Sequence, residues 1–212
     1  MKAGLAAALM LLAPGIARAQ DAPVPHYLPP DFAGEEGGFY ESWFGRHLAA
    51  MEEPVLGAPH ALDGYRIRFR MLVLPSFLEP YVIGVDERTD GRHVVRYTRT
   101  DGRGGYGPGP IAERRIEALA GDRFVRVADA LADARLAERL PSNRDGQEFA
   151  GDVPRADMVI CLDGTQFVFE LLDGAGHHVV TRHDCSLDGP IRALVDATQR
   201  AAGLLRRKRR SD

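Results

Sequence analysis

Six side chains near the C-terminal end, Glu170, His177, His178, Arg182, His183 and Asp184, are of the types that ligate metals, move protons or hold anions. Their spacing limits what they can do together. Thr165 to Leu172 and His177 to His183 read as strands joined by the turn Asp173-Gly174-Ala175-Gly176. If Leu172 and His177 flank that turn, Glu170 falls opposite Val179, and His177, Val179, Thr181 and His183 share its face. His178 and Arg182 then lie on the other face with Phe167, Phe169 and Leu171. The adjacent histidines therefore cannot chelate one ion from a regular strand. His177 and His183 stand about 20 Å apart along it, so they cannot share one either. The expectation is no metal and no cofactor. Glu170, set in Phe167-Val168-Phe169, is the carboxylate whose context predicts burial, as an ion pair with Arg66, Arg68 or another arginine.

Other catalytic patterns are missing. No G-x-S-x-G elbow and no H-E-x-x-H zinc motif occurs. The Gly-rich run Asp101 to Pro110, DGRGGYGPGP, fails as a phosphate cradle: Pro108 and Pro110 lack backbone donors and no Lys-Ser/Thr pair follows, so it reads as a structural turn. An enzyme is thus the less favoured expectation.

The two cysteines, Cys161 and Cys185, have 23 residues between them. This spacing suits a disulfide staple of about 3 kcal/mol better than a redox pair, which sits in a tight C-x-x-C turn. The staple fits the start of the chain. Lys2, the apolar run Gly4 to Ala13, the breakers Pro14 and Gly15, and Ala17-Arg18-Ala19 form the pattern of a cleaved export signal spanning 1–19. The run is too short to cross a bilayer. The expected location is the periplasm, an oxidising compartment.

The chain has 212 residues, 45% hydrophobic and 27% charged, with a formal charge of −3, which is ordinary globular usage and excludes a supercharged nucleic-acid binder. Without the signal the charge is −5, and without Arg206, Arg207, Lys208, Arg209 and Arg210 the remainder is −10. That basic tail, 206–212, reads as a solvated helix end or as a contact for an anionic membrane.

Residues 20–38 are Pro- and Gly-rich and read as an extended leader. Over 39–53 the apolar residues Tyr40, Trp43, Phe44, Leu48 and Met51 recur at helical spacing; this helix either docks on the domain or offers Tyr40, Trp43 and Phe44 to a partner. The body, 65–205, begins with a strictly alternating strand, Tyr65, Ile67, Phe69 and Met71 on one face and three arginines on the other. Tyr81 to Asp86 and His93 to Thr98 form a hairpin around Thr89-Asp90-Gly91-Arg92. Ile111 to Leu119 fits strand or helix. A helix starts at Gly121-Asp122 with Asp122 as N-cap and is closed by Leu140-Pro141; Met158 to Leu162 is a further strand, and Asp188-Gly189-Pro190 starts the last helix. The order β-rich, α, β-rich, α predicts an α+β domain, an antiparallel sheet with helices on one face.

The run Asp101 to Gly109, Leu140-Pro141, Asp163-Gly164 with Phe167-Val168-Phe169-Glu170, and His178-Val179-Val180 with Arg182 together resemble a group of exported proteobacterial proteins of unknown function, over about Tyr65 to Leu205. The Gly121-Asp122 start departs from the Ser/Thr-Pro expected in that group. The resemblance implies no activity. The layout is also similar to small bacterial protease-inhibitor modules, a likeness that carries no function. The leading expectation is a non-catalytic envelope protein binding a protein partner or an anionic membrane surface. The competing one is a hydrolase or metal-binding enzyme using Glu170 and the hairpin histidines.

Overall fold

The computed structural model describes residues 25–29, 32, 37–139 and 163–205. Strict alternation in the body yields a six-stranded antiparallel sheet: β1 Tyr65–Pro75, β2 Tyr81–Arg88, β3 His93–Thr100, β4 Ile111–Ala118, β5 Thr165–Asp173 and β6 Gly176–His183, in the order β4-β3-β2-β1-β5-β6. The segment open to either reading, Ile111 to Leu119, is thus a strand, placed at an edge. The hairpin turn uses Gly91 at φ +80°, the left-handed conformation glycine tolerates without strain.

The expected α+β class is observed, and both faces are covered. On one, Phe69, Met71, Ile83, Val95, Tyr97, Phe167, Phe169 and Val180 pack under two helices, α2 Gly121–Ala134 and α3 Gly189–Ala201. Asp188 caps α3 through its carboxylate, which accepts the Ile191 N–H at 2.9 Å. The α2 start differs from expectation: its N-cap is Ala120, and Asp122 lies inside the first turn, where it pairs with Arg126. The helix ends at Arg135 in the left-handed conformation, before Leu140-Pro141, which lies outside the described residues.

The second face holds Leu72, Leu74, Val82, Val168 and Val179 beneath a helix, α1, that runs Gly37–Tyr40 in α form, Glu41–Gly45 in π form and Arg46–Ala50 in α form again. Phe44, Leu48 and Met51 are fully buried there, so this apolar stripe docks on the sheet and Phe44 is not on offer to a partner; Tyr40 and Trp43 are half-buried. The leader is not loose throughout: Tyr27, Leu28 and Phe32 belong to this core, and the Tyr27 and Leu28 N–H groups donate to the Glu41 carboxylate at 2.6 and 2.9 Å. Among the described residues no helix is long and apolar enough to cross a membrane. The signal segment, Met158 to Leu162 and the tail Arg206 to Arg210 lie outside the described residues.

Candidate functional site

The β5–β6 register is the expected one: Glu170 pairs with Val179 and Leu172 with His177. Glu170 and His177 thus share the second face, and His177 Nε2 lies 3.2 Å from Glu170 Oε2. The arginine that pairs with Glu170 is Arg70, opposite it in β1. Its Nε and Nη2 both donate to Glu170 Oε1, at 2.8 and 2.6 Å, and both side chains are completely buried. Burial pushes the Glu170 carboxyl up, but the Arg70 charge and the bonds from His177 and Arg70 outweigh it and hold the group below its ordinary value. Glu170 is an ionised anchor inside the protein, out of reach of a substrate.

That pair is one end of a longer chain of charges. Arg70 also donates to the Pro54 carbonyl at 2.6 Å and lies 3.8 Å from Glu53; Glu53 accepts from Arg96 at 2.8 Å; Arg96 donates to Asp86 at 3.0 Å; Asp86 meets Arg68 at 3.4 Å. Guanidinium and carboxylate alternate from Arg68 through Asp86, Arg96, Glu53, Arg70 and Glu170 to His177. Gly84 makes room for this: a Cβ there would stand 2.4 Å from the Arg96 guanidinium. Opposite charges on both sides keep each buried ion compensated. Glu53, Asp86 and Arg96 were not singled out in the sequence. The available signal was the inward parity of Arg96 and Asp86, which pair across strands with Gly84 and Arg68 on the arginine face.

His177 and His178 meet at the outer edge of β6, in a groove of about 230 Å³ lined also by Pro29, Phe32, Leu136, Arg139 and Val179. They reach it from opposite faces, as the strand parity requires. His177 is wedged against Gly57, where a Cβ would come within 3.1 Å of its Nδ1. Arg182 is buried on the first face and donates to the Thr181 carbonyl. Arg139 is committed to the Ala134 carbonyl and to Asp188. The candidate cluster is therefore split between a buried network, an edge groove and, farther along, His183.

His183, Asp184 and Cys185 have ligand atoms within 4.8 Å of one another. These donors are already engaged. His183 Nδ1 accepts the Cys185 N–H and lies 2.8 Å from Asp184, and Asp184 accepts the Thr165 N–H at 3.1 Å. Of the expected Cys161–Cys185 disulfide, Cys161 lies outside the described residues, so no Sγ–Sγ pair is found among them. Cys185 is not a free thiol.

The end of the sheet that holds His183 and Asp184 carries a further feature. The Gly-rich segment folds as a tight turn against the end of β1, and Gly104 lies so close that a Cβ would meet Leu74 and Pro75 backbone at 2.5 Å. The Gly104 carbonyl accepts the Trp43 indole N–H at 2.8 Å, and its N–H donates to the Leu78 carbonyl at 3.2 Å. Around this junction Phe39, Phe77, Leu78 and Tyr106 are 63%, 56%, 69% and 63% exposed, with Phe77 and Tyr106 ring centroids 6.3 Å apart and those of Phe39 and Trp43 5.8 Å apart.

No protein-family model matches the chain, and no curated protein matches it.

Proposed function

We propose that this chain is an exported, non-catalytic binding module of the cell envelope that engages its partner through the aromatic surface at the Gly-rich turn. One observation carries the reading. Half of the large hydrophobic side chains left exposed among the described residues, Phe39, Phe77, Leu78 and Tyr106, gather at this junction of α1, the β1–β2 connection and the turn. Scattered exposed apolar residues need no explanation, but a cluster of them is the usual mark of an interaction surface. Aromatic side chains supply contact area with little rotamer entropy to lose, which suits them to anchoring roles. The partner is an envelope protein or an anionic membrane surface. A photo-crosslinking residue in place of Tyr106, in the exported chain in cells, is expected to give a discrete adduct that the same probe in place of Val125, also more than half exposed, does not. Phe77→Ser with Leu78→Ser should abolish it. Equal labelling from both positions would sink the reading.

A second reading, a hydrolase or metal-binding enzyme at the hairpin, draws on the ligand-atom spacing at His183, Asp184 and Cys185 and on the Glu170–His177 contact. The purified chain separates the two. Stoichiometric zinc lost in His183→Ala would favour the metal site. Glu170→Ala strips Arg70 of its partner and should cost about 3–5 kcal/mol of stability whatever its role, so the enzyme reading is tested at its neighbour: turnover by the natural chain that is lost in a folded His177→Ala would favour it.

A further inference from the structure

We infer that the outer edge of β4 pairs with the same edge of a second copy of this chain, about a two-fold axis that sets Ile116 opposite Ile116. Among the described residues β4 has a neighbour on one side only, β3. The other edge strand, β6, differs, because the turn Leu136–Glu138 and the leader residues Pro29 and Phe32 lie along it. An open row of backbone donors and acceptors is a template for another strand, and proteins that leave one usually blunt it. Here the edge carries an apolar contact. Ile116 is 66% exposed and floors an open groove of about 500 Å³ with Val94 and Ala118, rimmed by Arg88, Arg92 and Glu117.

The sequence of β4, Ile-Ala-Glu-Arg-Arg-Ile-Glu-Ala, says what can lie beside it. A continuous antiparallel sheet formed by two copies has its two-fold axis perpendicular to the sheet, so one residue must face its own copy. Placing Glu113, Arg114, Arg115 or Glu117 on the axis sets like charges directly opposite each other, which destabilises a pair. Placing Ile111, Ala112 or Ala118 there leaves the exposed Ile116 with no partner within the facing β4. Ile116 on the axis brings Ile116 against Ile116 and Arg115 against Glu117 twice, with Arg114 opposite Ala118, and no like charges meet. Both sets of residues are free to meet this way. Arg115 and Glu117 lie on the α2/α3 face, since they pair with Tyr97 and Val95. Arg114, on the other face with Ile116, is turned back toward Glu52 and the Met51 carbonyl. Arg115 already sits between Glu113 at 2.9 Å and its own Glu117 at 3.7 Å, so a second Glu117 enters an existing network. The strand complements itself better than it complements a generic acidic or basic peptide.

Sedimentation of the purified chain is expected to show a concentration-dependent dimer. Arg115→Glu and Glu117→Arg should each weaken it by about tenfold or more, and the double exchange should restore it, because the pairs reform with reversed polarity. Ile116→Cys should crosslink two copies on mild oxidation, since residues facing across an antiparallel pair have Cβ atoms within disulfide reach, whereas Ala112→Cys should not. A monomer at every concentration, failure of the double exchange to restore association, or equal crosslinking from both positions would overturn the proposal. If the chain stays monomeric while binding an unrelated extended peptide at this edge, the occupant is that peptide and the homodimer is excluded.

Discussion

His47 is a buried histidine whose charged form the fold disfavours. It lies on α1, completely buried, and its ring is pushed down to about 4, first by burial and then by the Arg46 charge, against a smaller opposing contact with the Gly104 backbone. An ordinary histidine titrates near 6.5. Above that value neither the folded nor the unfolded chain carries the proton, and the group has no effect on the balance. Between about 6.5 and 4 the unfolded chain takes up a proton that the folded one refuses, so stability falls as pH falls, by roughly 3 kcal/mol over the window. Glu170 acts lower on the scale. Its carboxyl is held below the ordinary value, so its contribution is present above that value and lost as pH drops through the folded one. The two groups thus weaken the fold in successive acid windows. His47→Leu should remove the first. In urea unfolding at pH 7 and pH 4.5, the natural chain is expected to lose much more stability than the variant, and equal losses would show that His47 is not the titrating group. Polarity hid this residue: position 47 falls within the stripe of Trp43, Phe44, Leu48 and Met51, and only its ring nitrogens argue against a core role.

At the scale of elements, what the chain reveals locally was legible and what it assembles from distant segments was not. Alternation in Tyr65 to Met71 placed three arginines on one face, and the turn at Gly174 set the β5–β6 register to the residue. Those features depend on neighbours a few positions apart. The partner of Glu170 is a hundred residues away, and the Arg96–Glu53 link joins β3 to the loop after α1, so neither has a local signature. The leader misled because its prolines and glycines read as loose chain, while Tyr27 and Leu28 are fixed by Glu41, fourteen and thirteen residues on. The Gly-rich turn was readable only as a turn. Its place against β1 gives the glycines their purpose: at Gly104 the turn backbone approaches Leu74 and Pro75 too closely for any side chain. Backbone on both sides cannot give way as a flexible side chain would. Gly104→Ala should therefore push the turn off β1, break the Trp43 bond and cost about 1–3 kcal/mol, the usual range for overpacking. Trp43 fluorescence should shift to the red in the folded variant. A variant of unchanged stability and emission would mean that the turn is not held where Trp43 meets it.

Over the whole molecule the asymmetry between the two faces decides which part of the chain is dispensable. The first face is closed by two regular helices, α2 and α3, packed on each other and on the sheet. The second is closed by one short helix and a few leader residues lying over a line of buried ions. Those ions tolerate burial only while each keeps its hydrogen bonds and its counter-ion, because a desolvated charge that loses its partner costs several kcal/mol. Tyr27 contributes to both conditions: its hydroxyl donates to the Glu53 carbonyl at 3.1 Å, and the Arg70 guanidinium lies 5.8 Å from its ring centroid. Phe32 and Leu28 seal the rest. Burying each of these side chains is worth about 1.5–3 kcal/mol, offset in part by the conformational entropy lost in ordering the leader backbone. A chain beginning at Gly37 should still fold, since β1 to β6 and both helices of the first face are intact. It should do so with a lower urea midpoint and a smaller denaturant slope, because less surface is buried. Amide protons of β1 and β5 beneath the missing cover should exchange faster than in the full chain, while those of β3, which gives no side chain to that core, should change less. If the truncated chain keeps its midpoint and its exchange pattern, the leader is a tether, and the buried ions are sheltered by α1 alone.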